Sequence, residues 1–158
     1  MEKKTRVLFL CTANSSRSQM AEGFLKAWAG DKYDAQSAGI SPSILNPLAV
    51  ETMQEIGIDI SKQKSKSIEL FLKQGFDYVI TVCDQAKESC PNFPGQSKKI
   101  HWSFEDPASI IEDENEKMKV FRKVRDQIAE KIRKFIAGSD WDRGRPLGRV
   151  EKLQRLSF

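Results

Sequence analysis

Thr5-Arg-Val-Leu-Phe-Leu-Cys11-Thr-Ala-Asn-Ser-Ser-Arg17-Ser18-Gln-Met-Ala-Glu-Gly23-Phe-Leu-Lys-Ala-Trp28 decides the fold. Its first part is a short apolar run with β-forming residues, its middle is small and polar, and from Gln19 onward the apolar residues take helical spacing. Strand, tight loop and helix in that order open an α/β domain. A loop of small residues in this setting can curl so that successive backbone N–H groups point inward. That makes a nest at a helix N-terminus, suited to a tetrahedral oxyanion. Thr12, Ala13, Asn14, Ser15 and Ser16 supply such a loop, Ser18 follows it, and Arg17 adds a planar fork able to grip two oxygens. The positive field of this nest lowers the thiol pKa of Cys11 from its free value of about 8.5, so that Cys11 is expected to be a thiolate nucleophile, with Ser18 donating to its sulfur. The bland alternative is that Cys11 merely ends a core strand, as buried free cysteines often do.

Working outward, Asp34 to Ala38 reads as a weak second strand before Gly39, and Pro47 opens a helix carrying Leu48, Val50, Met53 and Ile56. A short helix is expected over Ile68 to Lys73, stopped by Gly75. Tyr78-Val-Ile-Thr-Val-Cys83 is the clearest buried strand of the middle, and Lys99 to Phe104 supplies a fourth. Between Asn115 and Ala137, Val120, Phe121, Val124, Ile128, Ile132, Phe135 and Ile136 recur at steps of three and four, the pattern of one long helix with Lys and Arg on its other face. The alternation predicts an α/β fold: a four-stranded, mainly parallel sheet flanked by helices, with ligand at the carboxyl ends of the strands, where Cys11 and Cys83 lie. Residues 1–138 are expected to form a single catalytic domain. Residues 139–158, with Gly and Pro breaks and a basic bias, are expected to be a flexible or loosely docked tail.

Composition narrows the function. The 158 residues are 39% hydrophobic and 30% charged, enough for one domain with a real core. No apolar stretch approaches the roughly 20 residues that span a bilayer, and Val7 to Leu10 is too short for a signal-peptide core, so a cytoplasmic protein without a membrane partner is expected. A net charge of +4, mild and interspersed, excludes a nucleic-acid footprint and suits a small anion. Three cysteines, an odd number, argue for thiols used in a reducing compartment rather than for a disulfide framework. If Asp84 to Ser89 is helical, Cys83 and Cys90 lie about 10 Å apart, beyond disulfide reach, and bridging them requires the helix to unwind. Left open are a core role for Cys83 with Cys90 incidental, and a metal site of Cys11, Cys83, Cys90 and His101. The latter lacks any CxxC or HxxxH spacing, so no metal is expected. Asp106, ahead of Pro107, is a candidate general acid or a turn residue.

The pattern of Cys11, five residues, Arg17 and Ser18 resembles the low-molecular-weight tyrosine phosphatase family. The stretch Cys11 to Gly23, with Asn14 and Ser18-Gln-Met-Ala-Glu-Gly23, is more similar still to the thioredoxin-coupled arsenate reductases built on that fold. Further matches are Ser37-Ala-Gly-Ile40, Asn46-Pro47, Gly57-Ile-Asp-Ile-Ser61, Val82-Cys83, Cys90-Pro91, His101-Trp102 and Asp106-Pro-Ala108, so that the resemblance runs from Val7 to Ile136. It implies a flavodoxin-like strand order and a cytoplasmic enzyme of arsenic detoxification. Cys11 would attack arsenate, Asp106 would protonate the departing oxygen, and Cys83 and then Cys90 would carry the resulting disulfide outward to thioredoxin or a glutaredoxin. The implied ligands are arsenate, phosphate or sulfate, with no bound cofactor and a monomer as the default. Rival readings are a tyrosine phosphatase, in which water resolves the intermediate, and a non-catalytic oxyanion-binding or redox-sensing protein. Three positions depart from the family: Ala13 stands where Gly is common, at a place expected to need an unusual backbone angle, Ser16 replaces a further Cys of several members, and Lys66 replaces an Asp. Several members bind potassium through residues matching Asn14, Glu22 and Ser37, and the ammonium of Lys66 is expected to stand in for that ion.

Overall fold

The computed structural model describes residues 3–142. Strand β1 (Thr5–Cys11) is followed by α1 (Arg17–Ala29), β2 (Tyr33–Gly39), α2 (Pro47–Gln54), a 3-10 turn (Ile68–Phe71), β3 (Tyr78–Thr81), α3 (Asp84–Ser89), β4 (Lys98–His101) and α4 (Glu114–Asp142). The strands form one sheet in the order β2-β1-β3-β4, every neighbouring pair parallel. This is the flavodoxin-like order, and its reversal between β1 and β3 creates a crevice at the carboxyl edge of those two strands.

Central strands of parallel sheets are covered on both faces and read as unbroken apolar runs. Val7, Leu8, Phe9 and Leu10 are accordingly all fully buried. Helix α1 packs against β2 and α4, and α2 against α4. Phe24, Phe121, Val124, Ile128 and Ile132, all fully buried, supply much of that layer, each worth about 1.5–3 kcal/mol on burial. Phe71, Phe76 and Phe93 form a separate edge-to-face chain with centroids 5.9 and 5.7 Å apart, capped by the Arg6 guanidinium over the Phe76 ring. The edge strand β4 carries exposed Lys98 and Lys99, a charged edge that resists pairing with another chain.

The expected strands and helices are present with shifted ends. β4 stops at His101, paired with Thr81 where β3 also ends, although Trp102 N–H still donates to the Thr81 carbonyl and the Trp102 and Phe104 side chains are buried in the core. β3 stops at Thr81, although Val82 N–H still donates to the Leu10 carbonyl, so that Cys83 is free to become the N-cap of α3. The segment after Ser67 is a 3-10 turn ending at Phe71 rather than a helix to Lys73. Helix α4 runs through Gly138 to Asp142, four residues past the expected end of the catalytic domain. A glycine weakens a helix by only about 1 kcal/mol and breaks none of its hydrogen bonds. The remainder of the expected tail, 143–158, lies outside the described residues. Among the described residues no helix is long and apolar enough to cross a membrane.

Candidate active site

Between β1 and α1 the chain turns through residues 12–16, and its carbonyls are held from outside. Ile40 N–H donates to the Cys11 carbonyl, Ser41 to Thr12, Ser43 to Ala13, Asn46 to Ser15 and Met20 to Ser16, while the Ser65 hydroxyl also donates to Ala13. In a trans peptide the N–H points opposite to its C=O. The N–H groups of Thr12, Ala13, Asn14, Ser16 and Arg17 are therefore turned to the other side. Residues 11–13 and 15–17 line a cleft of about 370 Å³, closed opposite by Cys83, Gln85 and Asp106. Gly39 makes the close crossing possible: a Cβ there would lie 2.7 Å from the Thr12 oxygen and 2.9 Å from the Asn14 nitrogen.

Asn14 and Ser18 do not line this cleft. They are fully buried behind the loop, where Asn14 Nδ2 donates to Ser18 Oγ at 2.8 Å and Asn14 Oδ1 accepts from Gln19 Nε2 and from Lys66 N–H. The unusual backbone angle expected at Ala13 falls instead on Asn14, with φ of 49°. Asparagine tolerates the left-handed region because its short amide bonds locally. Ser16 Oγ is buried and has no hydrogen-bond partner, the one such side-chain atom among the described residues. A thiol, a weaker hydrogen-bonding group, would lose less in that position.

The side chains opposite are placed by three different elements. Arg17, at the start of α1, donates from Nη1 to the Phe104 carbonyl at 3.0 Å, and its Nη2 lies 3.8 Å from Asp106 Oδ2. Asp106 is held by an Asx turn, its Oδ1 accepting from Ala108 N–H at 3.0 Å. Turn residue and cleft residue are thus one and the same. His101 takes no part in a sulfur cluster: it bonds Thr81 Oγ1 through Nδ1 and Asp84 Oδ1 through Nε2, tying the first residue of α3 to β4.

Cys11 and Cys83 are both buried and line the same cleft, close enough for their thiols to titrate as a pair. Two such thiols lose their first proton easily and their second with difficulty, as a pair. Cys83 is lowered to about 5 by its hydrogen bond from Cys11, with help from Thr12, the Ala86 N–H and Arg17. Cys11 is pushed up by its hydrogen bond to Cys83 and by burial, which outweigh the pull of Arg17. The loop field of Arg17 and the Thr12 amide thus acts on a pair of sulfurs rather than on Cys11 in isolation. Cys90, the C-cap of α3, is half-buried, and burial raises its thiol. The helical α3 separates Cys83 from Cys90.

Behind the loop lies a buried carboxylate. Glu22, on α1, is 2% exposed and accepts from Ser37 Oγ, while Lys26 Nζ pairs with its Oε2 and Lys66 Nζ lies 3.4 Å from its Oε1. Sequence reasoning located Glu22, Ser37 and Lys66 but missed Lys26, Gln85 and Gly39. Neither carries a chemical signature in the sequence, and each acts only through what the fold brings against it.

The model of the low molecular weight phosphotyrosine protein phosphatase family matches residues 6–145. A protein of Halalkalibacterium halodurans named arsenate reductase is 49% identical over 135 residues, covering 85% of this chain and 96% of its own. A solved structure described as an arsenate reductase in the phosphate binding state is 38% identical, covers 85% of this chain and 98% of its own, and superposes with a TM-score of 0.70. A thioredoxin-dependent arsenate reductase of Corynebacterium glutamicum is 28% identical, covers 89% of this chain and 64% of its own, and has a TM-score of 0.69.

Proposed function

This chain belongs to the low molecular weight phosphotyrosine protein phosphatase family, and on that premise we propose that it is a thioredoxin-coupled arsenate reductase. The observation that carries this reading is the second sulfur. Cys83 lines the same oxyanion cleft as Cys11, where a phosphatase needs only a water. The relatives named arsenate reductase support it.

The chemistry follows in two halves. Arsenate is gripped by the inward amides and the Arg17 fork, and the Cys11 proton passes to Cys83 across their hydrogen bond. The freed Cys11 sulfur forms a bond to arsenic as an oxygen leaves as water, protonated by Asp106. Cys83 then passes the proton it took from Cys11 to an arsenic-bound oxygen of the adduct and, as a thiolate, attacks Cys11 Sγ. The sulfur–arsenic bond breaks with its electron pair on arsenic, As(V) becomes As(III), and arsenite departs from a Cys11–Cys83 disulfide. In the second half α3 unwinds, Cys90 attacks Cys83 and releases Cys11 as a thiol. An external dithiol protein, thioredoxin, reduces the Cys83–Cys90 bridge by exchange. No bound cofactor enters this cycle. Its setting is arsenic detoxification in the cytoplasm.

Lys66 is part of the same proposal. Two ammonium groups already face the one carboxylate of Glu22, so a potassium ion does not fit beside it, and Lys66 serves as the built-in cation of the loop. Activity is accordingly indifferent to potassium.

The experiment is arsenite formation from arsenate with thioredoxin, thioredoxin reductase and NADPH. Loss of multiple turnovers in each of Cys11→Ser, Cys83→Ser and Cys90→Ser is expected. Aryl phosphate hydrolysis that depends on Cys11 but not on Cys83, without any arsenite, would make the chain a phosphatase.

A further inference from the structure

Thr12 stands between two groups of the α3 segment. Its hydroxyl oxygen lies 3.3 Å from Cys83 Sγ and 3.3 Å from Gln85 Oε1. A threonine hydroxyl carries one proton, and an amide oxygen only accepts. When Thr12 donates to Gln85, Cys83 faces an oxygen lone pair and must itself be the donor, a neutral thiol. When Thr12 donates to Cys83, it stabilises a thiolate, and the Gln85 amide must turn its NH2 group toward the threonine oxygen. The two arrangements exclude each other.

We propose that Gln85 is a positioning residue that governs, through the single hydroxyl proton of Thr12, whether Cys83 stands as a thiol or as a thiolate. The consequence for catalysis rests on the arsenate reductase reading; the hydrogen-bond arithmetic does not. In the reduced protein Gln85 holds Thr12 in competition with Cys83 while the oxyanion reacts at Cys11. The unwinding of α3 that carries Cys83 toward Cys90 also lifts Gln85 off Thr12, because both residues ride on the same segment. The other groups facing Cys83 are Cys11 and Arg17, with Asp106 across the cleft, while Asp84 is engaged by His101. None of these competes for the Thr12 proton.

The test isolates one thiol. In a protein carrying Cys11→Ser and Cys90→Ser, Cys83 alone titrates, and its ultraviolet thiolate absorbance is followed against pH with Gln85→Glu, Thr12→Val and both together. Glutamate, an acceptor only, is expected to raise the Cys83 pKa by about one pH unit, the scale of a hydrogen bond to a charged group. With Thr12→Val that rise should fall below half, and with Thr12→Ser, which keeps the hydroxyl, it should persist. The rate of iodoacetamide modification, measured at one pH at least a unit below the Cys83 pKa, gives an independent reading of the same thiolate fraction, about tenfold slower with Gln85→Glu. A rise of equal size with valine at position 12 would show a through-space charge effect and overturn the proposal, as would no rise at all. Arsenite formation by the protein with its three cysteines intact is scored separately: its absence, with the Thr12 dependence present, would overturn the enzyme reading and leave the proton competition standing.

Discussion

Lys66→Met removes the built-in cation and leaves nearly the same volume of side chain. Glu22 is 2% exposed and Lys66 is 21% exposed, so the pair is shielded from solvent. Stripping a buried carboxylate of its sole partner costs about 3–5 kcal/mol. Here Lys26 and Ser37 remain on Glu22, although Lys26 is 49% exposed and reaches in from the rim. The loss should therefore be that of one charge-assisted hydrogen bond, about 1–2 kcal/mol. For a chain of this size, each kcal/mol moves Tm by about 2–4 °C, which places the drop at about 2–8 °C. Being one atom shorter than lysine, methionine vacates only the ammonium position, an oxygen-lined space behind the loop next to Glu22 and Ser37. A small monovalent cation should then recover stability, and thermal melts in potassium chloride against tetramethylammonium chloride at equal ionic strength read this directly. The intact protein should show no difference between the two salts. A Tm for Lys66→Met within about 1 °C of the intact protein, or a potassium-specific gain in the intact protein, would refute the internal-cation role.

Three further outcomes follow from the site. Gly39→Ala places a Cβ 2.7 Å from the Thr12 oxygen and 2.9 Å from the Asn14 nitrogen, both backbone atoms; phosphate affinity by calorimetry should fall at least tenfold, and unchanged affinity would show that the loop yields without losing its shape. Arg17→Lys keeps the charge but loses the fork, so steady-state kinetics should show a kcat/KM lower by about one to two orders of magnitude; near-normal turnover would mean that the amides suffice. With Cys83 lowered to about 5, the Cys90→Ser protein should be alkylated at Cys83 throughout neutral pH, with the rate falling only as pH drops through that value. The linkage has the same sign: a depressed acid contributes stability that is fully present above its unfolded pKa and is lost as pH falls through the folded value. Peptide mapping that found Cys11 modified first would place the thiolate on the other sulfur.

Much of the site was legible because it is local. Cys11, the small residues after it and Arg17 sit on one strand, one turn and one helix start, and a physical chemist can assemble them from sequence spacing alone. The same holds for the apolar run Val7 to Leu10, whose unbroken pattern marks a central strand, and for α4, whose periodicity is long enough to be unambiguous. Element ends were less legible. β4 ends at His101 because its partner β3 ends opposite, at Thr81, and α4 passes Gly138 because a single glycine costs too little to stop a long helix.

What the sequence determined by itself was therefore the chemistry in reach of one turn of chain: a thiol, a cradle of amides and a guanidinium at the carboxyl end of a parallel strand. Tertiary structure decided that the thiol chemistry belongs to two sulfurs, since Cys83 reaches the cleft of Cys11 from the end of β3 only in the folded chain. It also decided that the strained angle falls on Asn14, whose amide finds Ser18, Gln19 and Lys66 only in the folded chain, and that Gln85 comes to rest against Thr12. The division has one physical cause. Backbone geometry and residue type act over a few residues, whereas pKa values, ion pairing and the sharing of a proton depend on groups brought together from distant parts of the chain.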